Sequence, residues 1–122
     1  MEPWDLMIFN EDTSQDFFDE LADLDGEEIV EAVADACALV TRDPNITDDD
    51  LLIGRAAATI AAIWAGAPYT AGEVVEDYPF IRELIGHGEE QMFTDACDIL
   101  EAVEVEADLD SFIEALSSAD VG

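Results

Sequence analysis

Apolar residues recur at three- and four-residue intervals along nearly the whole chain, and no stretch alternates apolar with polar for more than a few positions, which predicts α-helix throughout. The first helix is predicted from Thr13 or Ser14 to Leu24, with Phe17, Leu21 and Leu24 on one face and Asp12, Asp16, Asp19 and Asp23 forming a carboxylate row on another. Gly26 reads as a break. A second helix follows from Glu27 to Thr41, turning Ile29, Val30, Val33, Cys37 and Val40 inward and Glu28, Glu31 and Asp35 outward. Thr47 before Asp48, Asp49 and Asp50 is a start signal, because a capping hydroxyl and acidic first-turn residues answer free amides and the helix dipole. The helix it starts, Leu51 to Ala65, is apolar on nearly every side and Ala-rich, as suits a central helix that neighbours approach closely, with Trp64 anchoring its far end.

Thr70 and Glu73 have capping-box spacing, and Pro79 suits the first turn of a short helix carrying Phe80, Ile81, Leu84 and Ile85, which Gly86-His87-Gly88 ends. From Glu89 to Val103, Met92, Phe93, Ala96, Ile99, Leu100 and Val103 share one face, leaving Asp95, Asp98 and Glu101 outside. In the last helix, capped by Asp108, Leu109, Phe112, Ile113 and Leu116 make a stripe that serves as a lid on the core, with fraying expected from Ser117. No Gly/Ser-rich linker, fixed-period repeat or composition shift divides the chain. The expected fold is all-α: a single domain over residues 1–122, packed as one bundle of five or six helices.

Composition changes this picture by its charge. Thirty-two Asp and Glu face three Arg and no Lys, for a formal net charge of −29. Such a charge destabilises the compact state by self-repulsion and sets a negative field reaching about 8 Å into physiological salt. A purely disordered acidic tail is nevertheless excluded by the 50% hydrophobic content, which supplies a core. The N-terminus lacks the basic region and apolar stretch of a secretory signal, and Leu51 to Gly66, interrupted by Arg55, falls short of the roughly 20 residues needed to span a bilayer. An acidic surface is also repelled by anionic lipid, so the expected setting is the cytoplasm, away from membranes.

Tests for chemistry return structural roles. Asp23-Leu24-Asp25-Gly26 resembles part of a calcium loop, but with Gly26 in the glycine position the first and last ligands would be Leu21 and Ala32, neither able to hold a hard cation. Consecutive Asp48, Asp49 and Asp50 diverge around a helix axis and complement its dipole. Cys37 and Cys97 fall on or beside apolar faces and read as buried spectators, and His87, between two glycines at a helix end, would meet the negative pole of a dipole. There is no phosphate loop, nucleophile elbow or zinc-binding helix motif, so no catalytic residue, metal or cofactor is expected, and the chain is read as a non-enzyme.

Trp4, Phe9, Asn10, Asp12, Asp16, Phe17 and Leu21 fall at the spacing of the opening signature of a small bacterial family, domain of unknown function family 4259, which the first quarter of the chain resembles. The chain departs from that pattern at Asp5, where a glycine is usual, and at Glu11, where an aspartate is usual. The resemblance implies a helical fold and no settled activity, and some acidic relatives look like immunity or inhibitor proteins. On this reading Trp4 and Phe9 fold an extended N-terminal arm onto the bundle, with Asn10 and Asp12 bonding backbone amides at the first helix start.

The expected function is that of an acidic interaction protein which binds and blocks a basic partner, such as a nuclease or other nucleic-acid-binding protein, as a DNA mimic or immunity protein does. Helical carboxylate rows about 5 to 6 Å apart partly imitate a duplex carrying one charge per about 1.7 Å. The expected binding residues are Asp12, Asp16, Asp19, Asp23, Glu28, Glu31, Asp35, Asp95, Asp98 and Glu101, with no direct contact to nucleic acid and the chain a monomer or homodimer. The alternative is a domain adapted to a salty cytoplasm, which predicts carboxylates spread evenly around the bundle and folding that needs salt. A carboxylate-dependent enzyme is a third reading, and would need a pocket holding acids of raised pKa.

Overall fold

The computed structural model describes residues 4–43, 45–67, 72–88, 90–103 and 109–121. Among them are eight helices: α1 (Trp4–Phe9), α2 (Asp12–Ala22), α3 (Gly26–Arg42), α4 (Asp48–Trp64), α5 (Gly72–Asp77), α6 (Phe80–Glu83), α7 (Glu90–Glu101) and α8 (Asp110–Val121). The all-α bundle is as expected, and the additional helices are the short ones. α4 is its hub, packing against α1, α2, α3, α6, α7 and α8, while α3 lies on α7 and α7 on α8. Every residue of α4 from Ala56 to Trp64 is buried. Its alanines let neighbours close in. At Gly54 the approach is closest: an added Cβ would overlap the Val40 side chain of α3.

α4 begins as its sequence dictates, with Thr47 Oγ1 accepting from the Asp50 amide at 3.2 Å. It ends in a glycine turn: Gly66 takes φ +111°, and the Ala67 amide reaches back to the Ala62 carbonyl at 3.0 Å, satisfying a carbonyl the helix leaves open. Trp64 then fixes the next segment twice. Its indole Nε1 donates to the Ile81 carbonyl at 3.0 Å and its own carbonyl accepts from the Gly86 amide at 2.9 Å.

Four local expectations need correction. The N-terminal arm is not extended, because Trp4–Phe9 forms α1, burying Trp4, Ile8 and Phe9 against the bundle. A short helix brings those three side chains to one side and pairs its later amides, the Asn10 amide reaching the Leu6 carbonyl at 3.3 Å, whereas an extended arm on a helix bundle has no strand to pair with. Asn10 does not cap α2; its Nδ2 donates backward to the Leu6 carbonyl at 2.7 Å, closing α1, and α2 starts at Glu11 without a side-chain cap. The break expected at Gly26 falls just before it, over Asp23 to Asp25, and Gly26 is itself the first residue of α3, with Asp25 in extended backbone. α8 runs to Val121, beyond the expected fraying at Ser117. The Thr70 and Asp108 caps lie outside the described residues.

Candidate functional site

The carboxylate rows can be followed from α2 outward. Asp12, Asp16, Asp19 and Asp23 follow i, i+4, i+7, i+11 spacing, and all four are exposed. The opposite side of α2 buries Ser14, Phe17, Phe18 and Leu21, so the polar row is what the apolar face leaves outside. On α3, Ile29, Val33 and Cys37 are buried, whereas Glu27, Glu28, Glu31 and Asp35 are exposed. The two helices pack against each other, joined by a turn bearing exposed Asp25. No Lys, Arg or His side chain precedes Arg42, which closes α3, so the rows from Asp12 to Asp35 contain no cation.

One member of the α2 row does structural work. Asp19 accepts a 2.7 Å hydrogen bond from the Tyr78 hydroxyl, tying α2 to the turn between α5 and α6, and the Phe18 ring meets the Tyr78 ring edge-on at 5.4 Å. The bond to Asp19, with partial burial and the negative charges of Asp19, Asp77 and Asp16, pushes the Tyr78 hydroxyl up to about 12.

On α7, Asp98 and Glu101 are exposed as expected, but Asp95 is buried and does not belong to an outer row. Its spacing explains this. Met92, Asp95, Ala96, Ile99 and Leu100 stand at i, i+3, i+4, i+7, i+8, and α7 is covered by α3, α4 and α8, so the buried stripe is wide enough to take Asp95 in. Its Oδ1 accepts from Gln91 Nε2 at 3.0 Å. Burial, then the Asp95 charge, pushes the Cys37 thiol far above its ordinary value, so it stays protonated. Asp5, which stands where the resembled family usually has a glycine, is likewise buried on α1.

Cys97 departs from the fully buried role expected for it. It is half-buried, with Sγ 3.7 Å from both a Glu101 carboxylate oxygen and Ser117 Oγ. Partial burial raises its pKa despite the opposing hydrogen bond with Ser117.

Beside the rows lies a cleft of about 680 Å³ between the start of α3 and the turn after α6. Asp25, Glu27, Glu28 and Glu31 wall it, half-buried Val30 and Leu84 contribute apolar surface, and His87 and Gly88 border it. No protein-family model, curated protein or solved structure matches this chain. Among the described residues, no group of three or more His, Cys, Asp or Glu is placed to hold a metal ion, and no helix is long and apolar enough to cross a membrane.

Exposed acids are not confined to α2 and α3. Glu73, Glu76 and Asp77 on α5, Glu83 on α6, Glu90, Asp98 and Glu101 on α7, and Asp110 and Glu114 on α8 are exposed too. The basic side chains sit elsewhere, Arg42 at the end of α3, Arg55 on α4, Arg82 on α6 and His87 in the turn after it, so α5, α7 and α8 are as free of cations as α2.

Proposed function

We propose that this chain is a strongly acidic interaction protein whose α2–α3 face binds and blocks a basic partner of the nucleic-acid-binding kind. The observation that carries this reading is the run of exposed carboxylates on two packed helices that contain no basic side chain before Arg42. The row from Asp12 to Asp23 covers about 16 Å of helix, enough to face several basic side chains at once. Attraction of this kind steers association and weakens steeply with salt. The proposed binding residues are Asp12, Asp16, Asp23, Glu28, Glu31 and Asp35; Asp19 is shared with Tyr78, Asp95 is buried, and Asp98 lines a separate hollow with Thr41 and Arg55.

A second reading has its own support. Exposed acids on α5, α6, α7 and α8, together with the absence of Lys, fit a domain kept soluble in concentrated salt. The two readings part in one experiment, capture from host lysate in about 0.1 M and about 1 M KCl with folding followed by circular dichroism. A defined basic protein held by the folded chain at low salt, and lost when Asp12, Asp16 and Asp23 become Asn, is the expected result. A chain that folds only in molar salt and captures nothing there, or that loses its catch equally when Glu73 and Glu76 become Gln, contradicts it.

A further inference from the structure

The cleft at the start of α3 adjoins a second hollow along the same helix: Val30 and Glu31 border both, and Ala34 and Asp35 complete the second. Together they make a groove that follows α3 from Asp25 to Asp35, about 15 Å of helix. Half-buried Val30 and Ala34, one helical turn apart, form an apolar strip along it, extended by Leu84 on the far wall. Glu27, Glu28, Glu31 and Asp35 flank that strip and are exposed.

A purely ionic face would need no such strip. Resting on the reading that the chain binds a basic partner, we infer that this groove receives an amphipathic basic helix of about ten residues, whose apolar side covers Val30 and Ala34 and whose Lys or Arg side chains meet the flanking carboxylates. Charge complementarity selects the occupant: an acidic or neutral amphipathic helix would find the same apolar strip but be repelled or left unpaired along the carboxylate edge that Glu27, Glu31 and Asp35 form on one side of it. Docking in this mode has a salt signature. At 1 M salt the screening length falls to about 3 Å, which removes long-range ionic attraction, while apolar contact persists.

The test uses two fluorescent peptides of equal charge, a Leu/Lys amphipathic helix held below its self-association concentration and an oligolysine, titrated against the full chain by anisotropy. Both are expected to bind at 0.1 M KCl. At 1 M KCl oligolysine binding should vanish and the Leu/Lys peptide should lose less than ten-fold. Replacing Val30 and Ala34 by Asn, which removes the apolar strip without adding charge, should weaken the Leu/Lys peptide at least ten-fold at 1 M KCl, with oligolysine binding at 0.1 M and the circular dichroism spectrum unchanged. Because two buried-edge substitutions can disturb folding, Glu28→Gln with Glu31→Gln provides a milder pair, expected to weaken the Leu/Lys peptide at 0.1 M more than the same change at Glu73 and Glu76. Equal loss of both peptides in salt, or indifference to the Val30 and Ala34 changes in a folded protein, overturns the groove but leaves an ionic face. Failure of both peptides to bind at 0.1 M KCl overturns the underlying reading as well.

Discussion

Helices α4 and α2 answer the same charged environment in opposite ways. α4 buries every residue from Ala56 to Trp64 and keeps its acids at its N-terminal end, where Asp48, Asp49 and Asp50 oppose the dipole. α2 buries one face only and lines the other with carboxylates at one-turn intervals. The core around α4 is apolar and close-packed, so its contribution to stability should depend little on salt; the outer rows repel each other, and that penalty should fall as salt rises. A net charge of −29 is thus carried by a scaffold whose holding contacts are almost all apolar or neutral hydrogen bonds around one helix.

The sharpest way to break this contrast is at Trp64. Trp64→Ala removes a buried indole and leaves the Ile81 carbonyl without its donor, and is expected to cost about 3–5 kcal/mol in urea unfolding, nearly independent of KCl. A loss that shrinks in high salt would mean that the interior and the charged shell are coupled. Next comes Gly54→Ala. The gain in helix propensity, about 1 kcal/mol, is outweighed by forcing Val40 off a well-packed position, so a net loss of about 1–2 kcal/mol is expected. Trp4→Phe should cost about 1 kcal/mol, because Trp4 Nε1 donates to Thr59 Oγ1 at 2.8 Å, while Thr59 keeps its own bond to the Arg55 carbonyl.

Much of this interior was legible in the sequence. The Thr47 cap, the apolar Ala-rich α4, the anchoring Trp64 and the α8 stripe all follow from side-chain size and 3.6-residue spacing, which is local information. What was illegible depends on neighbours. Asp95 lay at a position of the α7 stripe, yet its charge suggested an outward place; only the packing of α3, α4 and α8 around α7 decides that position in favour of burial. The α1 helix was missed because six residues carry too little periodicity to distinguish a helix from an arm. The Tyr78–Asp19 link joins residues far apart in the chain and left no spacing to read. On the site side, exposure of the α2 and α3 rows was readable from amphipathicity alone, whereas the groove along α3 needed the turn after α6 as its second wall.

Smaller effects probe the shell. Tyr78 should titrate near pH 12 by ultraviolet absorbance. Its folded pKa is raised above the unfolded value near 10, so its stabilising link is fully present below pH 10 and is lost as the pH rises through 12; Tyr78→Phe should remove that high-pH transition. Smallest of all, Asp16→Asn with Asp23→Asn should stabilise the chain by about 0.5 kcal/mol in low salt by relieving like-charge repulsion and removing an acid from the negative end of α2, with the gain gone in 1 M KCl. A gain that persists in high salt would show that repulsion along this row is not what the substitution relieved.

The most direct measurement of the central claim is amide hydrogen exchange of the chain with and without its captured partner, at low salt. Protection gathered over residues 12–35, with α5 and α8 unchanged, is the predicted outcome. Protection distributed over α5, α7 and α8 alike, or none on α2 and α3, would contradict a dedicated acidic face.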